Sequence, residues 1–263
     1  MDSSMKLMPN RGRSVSQLEY SQAIGSLMYA MTSTRPDIAF VVGRLSRFTH
    51  NPSSQHRQAV HRVFKYLKGT KDYCLCYSRF PSVLEGYSDA SWISNKEDHS
   101  STTGWVFLLG GGAISWASKK QSCITSSTME SEFIALAAAS KEAEWLKNLI
   151  YEIPLWRKPI APLSIRCDSV PTLSKAYSQV YNGKSRHIDV RHGIIRNLIM
   201  DGVISIDLLI KFNEGWELQE TGLMKLYDKY KELAHEYISS METKSRNVVR
   251  HGIVMLHDWL LNI

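Results

Sequence analysis

The stretch of sequence that decides the fold is GYSDASW at residues 86–92, which places an aspartate at the end of a predicted strand. Two more acidic motifs follow it: STMESEF at residues 127–133 opens a predicted helix, and IRCDS at residues 165–169 ends a later strand. Carboxylates in these three places can converge at one edge of an α/β sheet. There they can hold divalent metal ions against a phosphodiester, because hard cations prefer oxygen ligands. The three motifs therefore indicate a nuclease.

Three helices are predicted within the first 80 residues, which also carry the basic excess of the chain. Apolar residues at helical spacing predict two helices within residues 21–48, separated by RPD at residues 35–37, and a third over residues 54–68. Residues 1–80 hold 12 Lys and Arg against 4 Asp and Glu, compared with 14 against 13 in residues 81–212 and 6 against 8 in residues 213–263. The basic excess in residues 1–80 would suit a polyanion that is bound away from the carboxylates. A basic face that is merely solvated accounts for the composition equally well.

The residues around the acidic motifs predict a compact α/β domain with a mixed sheet, in the order β-β-β-α-β-α-α-β. A helix is predicted from the capping residues at 126–128 to Pro154, a short one after Asp168, and another over residues 187–200. The three glycines at residues 110–112 join two strands as a hairpin. The predicted strands of the domain are residues 84–88, 103–109, 113–118, 163–167 and 203–210, and a further short strand is predicted before it at residues 73–77.

Cysteine usage and hydropathy bound the remaining classes. Cys74 and Cys76 would share one face of a strand, and we expect them to be buried small hydrophobes rather than zinc ligands or a disulfide. The nine histidines show no zinc-ligand spacing. The sequence has no run of about 18 apolar residues and no apolar N-terminal stretch. An intracellular location, cytoplasmic or nuclear, without a membrane partner is therefore expected.

Seven short strings of sequence, each occurring once, follow one another along residues 21–210. They are IGSLMY at 24–29, TRPDIA at 34–39, LSRF at 45–48, YLKGT at 66–70, STTG at 101–104, GAISW at 112–116 and RHIDVR at 186–191. In these strings the chain resembles the C-terminal part of the Pol polyprotein of copia-type LTR retrotransposons. That part is the end of the reverse transcriptase followed by its ribonuclease H domain.

The resemblance implies a three-part organisation. Residues 1–80 would be a helical remnant of the reverse-transcriptase thumb or connection, and residues 213–263 a divergent helical tail. Residues 81–212 would be a ribonuclease H-like domain, an α/β fold with a mixed five-stranded sheet flanked by helices. The sequence contains no Asp-Asp dipeptide, so the paired aspartates of a reverse-transcriptase palm are missing and the chain is not expected to polymerise.

By the same resemblance, the catalytic and metal-binding carboxylates are Asp89, Asp168 and one glutamate of the long helix. Glu130 and Glu132 are about 200° apart on a helix, so they cannot both face the site. The family pattern has its glutamate directly before an apolar residue and a small apolar run, which predicts Glu132. Glu130 then fits a first-turn glutamate favoured by the helix dipole.

The fourth acidic position is where the chain departs from the family. The family has an aspartate in an Asn-x-Ala-Asp-like motif after the last strand, and that motif is missing after Ile210. Glu217 lies about where this catalytic aspartate is expected, and a plain surface glutamate is the competing interpretation.

The chemistry implied is metal-assisted hydrolysis, in which two Mg²⁺ or Mn²⁺ ions about 4 Å apart activate a water and stabilise the leaving 3′-oxygen. The implied partners are an RNA/DNA hybrid, read through 2′-hydroxyls and groove shape, and the rest of a retrotransposon polyprotein. Lys119, Lys120, Arg186 and His187 are candidate contacts to the nucleic-acid backbone, with ordinary surface charge as the alternative. Two other functions stay open: a degenerate remnant that binds nucleic acid without cutting, and an integrase- or resolvase-like nuclease.

Overall fold

The structure, a computed structural model, describes residues 7–77, 83–95, 98–154, 156, 158–179 and 186–209. The described residues up to Leu208 belong to one compact unit. The helices are α1 (Gln17–Ser33), α2 (Ala39–Leu45), α3 (Ser54–Gly69), α4 (Thr128–Tyr151), α5 (Val170–Tyr177) and α6 (Arg186–Met200). The strands are β1 (Leu84–Asn95), β2 (Ser100–Leu109), β3 (Gly112–Lys120), β4 (Leu163–Cys167) and β5 (Ile204–Leu208).

The five strands form one mixed sheet in the order β3-β2-β1-β4-β5. β1, β2 and β3 pair antiparallel, whereas β1 pairs parallel with β4, and β4 with β5. Gly110 and Gly111 turn the chain between β2 and β3 with φ of 57° and 83°, a backbone that glycine adopts without steric cost. The predicted mixed five-stranded sheet flanked by helices is confirmed.

The main core lies between the sheet and α4. Ser127 caps α4, since its hydroxyl accepts the Glu130 N–H at 3.2 Å. The residues of α4 from Ser131 to Ala137 are all buried. Fully buried side chains of this core come from a strand, a helix and a strand in turn: Phe107, Phe133 and Ile165. The packing holds the beginning of α4 close to the sheet. Among the described residues, none of the helices has the length and apolar content needed to cross a membrane.

Helices α1 to α3 have an apolar cluster of their own, built around Leu27, Val42 and Leu45. Hydrogen bonds join this helical segment to the sheet, and one of them runs from Arg47 to the Thr102 hydroxyl at 3.3 Å. The Trp116 indole N–H donates to the Met31 carbonyl at 2.6 Å, and Arg44 donates to the Ser94 carbonyl at 2.6 Å. The boundary near residue 80 between a helical segment and a sheet domain stays a prediction.

Two predictions for the segment before β1 are wrong. Residues 73–77 form no strand, and Cys74 and Cys76 are exposed rather than buried, with their sulfurs 3.4 Å apart. A side chain, rather than a strand ladder, joins this segment to the sheet, because the Tyr77 hydroxyl donates to the Ala113 carbonyl at 2.9 Å. β1 also runs on to Asn95, beyond the predicted end at residue 88. The predicted tail at residues 213–263, with Glu217, lies outside the described residues.

Candidate functional site

Three carboxylates from three elements meet at one edge of the sheet. β1 and β4 run parallel, with Gly86 paired to Ile165, so the chain reaches Asp89 in β1 and Asp168 after β4 at the same edge. Glu132 lies in the second turn of α4 and reaches this edge from the helix. One carboxylate oxygen from each of the three lies within 4.8 Å of the others. The sequence therefore assembles residues 43 and 36 positions apart into one cluster.

Burial makes this cluster electrostatically unfavourable for a protein without a cation. Asp89 is 8% exposed and Glu132 is 6% exposed. Burial, together with the charges of Asp89 and Asp168, raises the pKa of Glu132 to about 9. The Ala90 amide, which donates to Glu132 Oε1 at 3.2 Å, offsets only part of this effect. Glu132 thus holds its proton at neutral pH in the absence of a neutralising charge.

The donor set fits a divalent metal ion. Glu132 Oε2 is buried and has no hydrogen-bond partner among the described residues, so it is a polar atom that remains to be satisfied. Carboxylate oxygens are the ligands that Mg²⁺ and Mn²⁺ prefer. A cation here would satisfy the orphaned oxygen and relieve the repulsion among the three acids. Asp89, Glu132 and Asp168 are therefore the residues that could hold it.

Glu130, the other glutamate of the motif, is engaged elsewhere. Its Oε2 accepts hydrogen bonds from the Ser126 amide at 2.6 Å and the Ser126 hydroxyl at 2.8 Å, and its Oε1 lies 3.1 Å from His187 Nε2. Burial opposes ionisation of Glu130, but the Ser126 donors and the His187 imidazole outweigh it and lower the pKa. The structure thus brings Glu132, and not Glu130, beside the two aspartates.

Comparison with known proteins shows relatives over most of the chain. The Pol polyprotein of transposon TNT 1-94 from Nicotiana tabacum is 41% identical over 201 residues, 76% of this chain. That of transposon RE1 from Arabidopsis thaliana is 37% identical over 191 residues, 72% of this chain. The chain belongs to the retrovirus-related Pol polyproteins of transposons. The family resemblance inferred from the motifs is confirmed.

The match covers only a part of those polyproteins. The chain spans 15% of the length of the tobacco relative and 13% of the Arabidopsis one. No protein-family model matches it. Among solved structures it is similar to LC11-RNase H1, isolated from compost, with 16% identity and a TM-score of 0.36 over 49% of this chain and 83% of that one.

In this Pol chain, the four residues predicted to contact nucleic acid lie in different surroundings. The Lys119 ammonium lies over the Trp105 ring, 5.1 Å from its centroid, and Lys120 forms an ion pair with Asp98. Arg186 is exposed at the first residue of α6, and His187 follows it and contacts Glu130. His187 is thus connected to the turn of α4 that precedes Glu132. The nucleic-acid contacts themselves stay predictions.

The sequence did not predict a buried amide side chain that holds the helix beside the cluster. Gln121, which is 5% exposed, donates from Nε2 to the Thr103 hydroxyl at 3.0 Å and to the Ser131 carbonyl at 2.9 Å. It therefore fixes the residue next to Glu132 to strand β2. The sequence around this glutamine gives no signal for the role, because one partner lies 18 residues away and the other is a backbone carbonyl, which any residue has.

Proposed function

We propose that this chain is a metal-dependent endonuclease that hydrolyses the RNA strand of RNA/DNA hybrids. One observation carries the proposal: three carboxylates from β1, α4 and the end of β4 lie within 4.8 Å of one another in a chain of the Pol family. Buried like charges cost stability and need a compensating cation, whereas a surface for binding alone has no use for them. The cluster is therefore the proposed catalytic centre.

The residues of the chain have separable roles in this proposal. Asp89, Glu132 and Asp168 would hold Mg²⁺ or Mn²⁺, and a bound ion would favour the ionised form of Glu132. The Ala90 amide donates to Glu132 Oε1 at 3.2 Å and so helps to orient this carboxylate. The bound metal supplies activation of the attacking water and stabilisation of the leaving 3′-oxygen.

A second surface supports a polyanionic substrate. The sequence of α3 contains no acidic residue, and it exposes Arg57, Lys65 and Lys68, which lie within one side of the helix at its 100° spacing. Such a face attracts phosphates from outside the carboxylate cluster, which by itself would repel them. Recognition of the hybrid through 2′-hydroxyls and groove shape would add the specificity for RNA.

The test is cleavage of an end-labelled RNA/DNA hybrid with Mg²⁺ or Mn²⁺, beside single-stranded RNA and duplex DNA. We expect cutting of the hybrid alone, and its loss in Asp89→Asn and in Glu132→Gln. Glu130→Gln is the matched control, since Glu130 lies two residues away in the same helix but outside the cluster. This control should retain most of the activity.

The same assay separates the competing functions. A folded protein that binds the hybrid with no cutting under either metal would be a nucleic-acid-binding remnant. Preferential cutting of duplex DNA would point to an integrase- or resolvase-like nuclease. Activity that survives Asp89→Asn would contradict the placement of the catalytic centre.

A further inference from the structure

Trp92 is a large aromatic side chain left in solvent beside the carboxylate cluster. It lies three residues after Asp89 on β1 and is 41% exposed. Nothing in the proposed hydrolysis uses it. Burial of an indole ring is favourable, so a tryptophan that stays exposed beside a site for a polyanion needs an explanation.

β1 is irregular at the position of Trp92. Ser91 pairs with Thr102, but the next pair is Asn95 with Ser100, so three residues of β1 lie opposite Ser101 alone. Extra residues on one strand make a bulge, and bulges beside active sites re-aim side chains. Ile93, inside the bulge, has φ of 48°, a left-handed backbone that is strained for a β-branched residue.

Buried hydroxyl groups hold the strained bulge in place. The Ser101 hydroxyl accepts the Ile93 N–H at 3.2 Å and lies 3.1 Å from the Thr125 hydroxyl. Ser101 is fully buried and Thr125 is 3% exposed, so water does not compete for these bonds. The Trp92 indole N–H donates to the Thr125 carbonyl at 3.3 Å. The bulge, Trp92 and the loop before α4 are therefore fixed together.

Thr125 connects this arrangement to the cluster. It lies two residues before Ser127, the residue that caps α4 and so positions Glu132. Its neighbour Ile124 is 66% exposed, so the loop before α4 also presents an apolar side chain to solvent. Strain that is held by buried bonds next to a candidate site indicates a role for the side chain that the strain presents.

We propose that Trp92 is a substrate-positioning residue whose indole ring packs against a nucleotide of the RNA strand close to the bond that is cut. This inference rests on the proposed function. A strand rises about 3.3 Å per residue, so Trp92 lies within about 10 Å of Asp89 along β1. A duplex strand advances about 3.4 Å per phosphate along its axis, which places the contact within about three nucleotides of the cut.

The choice of partner follows from the chemistry of the side chain. Every nucleotide offers an apolar sugar or base face, and aromatic residues bind such faces with little dependence on sequence. The indole N–H is already bonded to the Thr125 carbonyl, so the ring face, and not a polar group, is what remains for a partner. Trp92 therefore adds affinity and register without reading bases.

The test compares Trp92→Ala, Trp92→Phe and Trp145→Ala in steady-state cleavage of the hybrid. Trp145, 57% exposed on α4 and thirteen residues beyond Glu132, is about 20 Å along the helix from the site and serves as the matched control. We expect Trp92→Ala to raise KM on the order of tenfold with kcat changed less than about threefold. Trp92→Phe should recover most of the loss, and Trp145→Ala should resemble the wild type.

Tryptophan fluorescence gives a readout that does not depend on cutting or on the folding of the alanine variant. Titration with hybrid should quench the wild type and Trp145→Phe, and the quench should be smaller in Trp92→Phe. An unchanged KM in Trp92→Ala, or an equal quench in Trp92→Phe and the wild type, overturns the inference. A wild type that is quenched more than Trp92→Phe but does not cut would refute the proposed hydrolysis and leave Trp92 as a binding residue.

Discussion

Replacing Glu132 with glutamine should stabilise the metal-free protein above pH 5. The substitution removes an ionisable group from a buried cluster whose acids lie within 4.8 Å of one another, and it keeps the shape of the side chain. Because the pKa of Glu132 is raised to about 9 from the ordinary 4.5, the folded protein binds one more proton than the unfolded chain between those two values. Stability of the wild type therefore falls as pH rises through this window.

The magnitude follows from two bounds. Two carboxylate charges 4.8 Å apart repel by about 3 kcal/mol at an effective dielectric constant of ~20. The full displacement of the Glu132 pKa corresponds to about 6 kcal/mol, an upper limit because relaxation of the protein reduces it. We expect the free energy of unfolding of Glu132→Gln, relative to that of the wild type, to increase by about 3 kcal/mol from pH 5 to pH 8. In a chain of this size that is about 6–12 °C in Tm.

The assay is thermal unfolding followed by circular dichroism at pH 5, 6, 7 and 8, with EDTA present. Glu130→Gln is the matched control with the opposite sign. The pKa of Glu130 is lowered, so its ionised form stabilises the fold above pH 4.5, and that contribution is lost as pH falls. Glu130→Gln should therefore be less stable than the wild type at pH 7.

Addition of Mg²⁺ or Mn²⁺ completes the experiment. Metal should raise the Tm of the wild type at pH 8, because a ligand that binds only the folded state stabilises it. The gain should be smaller in Glu132→Gln, which lacks one charged ligand. If the wild type and Glu132→Gln keep the same Tm difference at every pH in EDTA, Glu132 is ionised like a surface glutamate and the electrostatic reasoning is refuted.

Two further predictions concern the sheet and the basic helix. An added Cβ at Gly86 would meet Phe107 Cε1 at 2.4 Å, so Gly86→Ala should lower the free energy of unfolding by about 1–3 kcal/mol in urea titrations. A Cβ at Gly25 would meet no atom within 4 Å, so Gly25→Ala should be neutral or stabilising by about 0.5–1 kcal/mol. Equal effects of the two changes would contradict the packing. The double change Lys65→Gln and Lys68→Gln should weaken hybrid binding and reduce the slope of log affinity against log salt by about 2, as measured by fluorescence anisotropy. An unchanged slope would remove α3 from the binding surface.

Features with local causes could be predicted from the sequence. The start of α4 depends on a capping serine, and the β2–β3 hairpin depends on glycines that adopt positive φ at Gly110 and Gly111. The choice of Glu132 over Glu130 used the 100° step of a helix together with the family pattern. The cap, the turn and the helical step each act within about four residues and need no knowledge of the fold, whereas the family pattern came from the resemblance.

Features that depend on distant partners could not be predicted. Residues 73–77 have the composition of a strand, but a Tyr77 hydrogen bond to Ala113, and not a strand ladder, joins them to the sheet. The extension of β1 and its bulge depend on Ser101 and Thr125, which approach Ile93 only after the sheet and α4 have packed. Gln121 acts in the same way, through contacts made across the fold.

The two unfavourable features of the fold lie together, so ligand binding can distinguish a working site from a relic before any activity is measured. The carboxylate cluster holds like charges in a buried place, and the bulge three residues further along β1 holds Ile93 in a strained backbone. Folding alone favours neither, since an amide at position 132 or a regular strand would be more stable. A protein in which metal restores stability and the hybrid quenches Trp92 uses both features. A protein in which neither ligand has an effect would have kept their cost without their purpose.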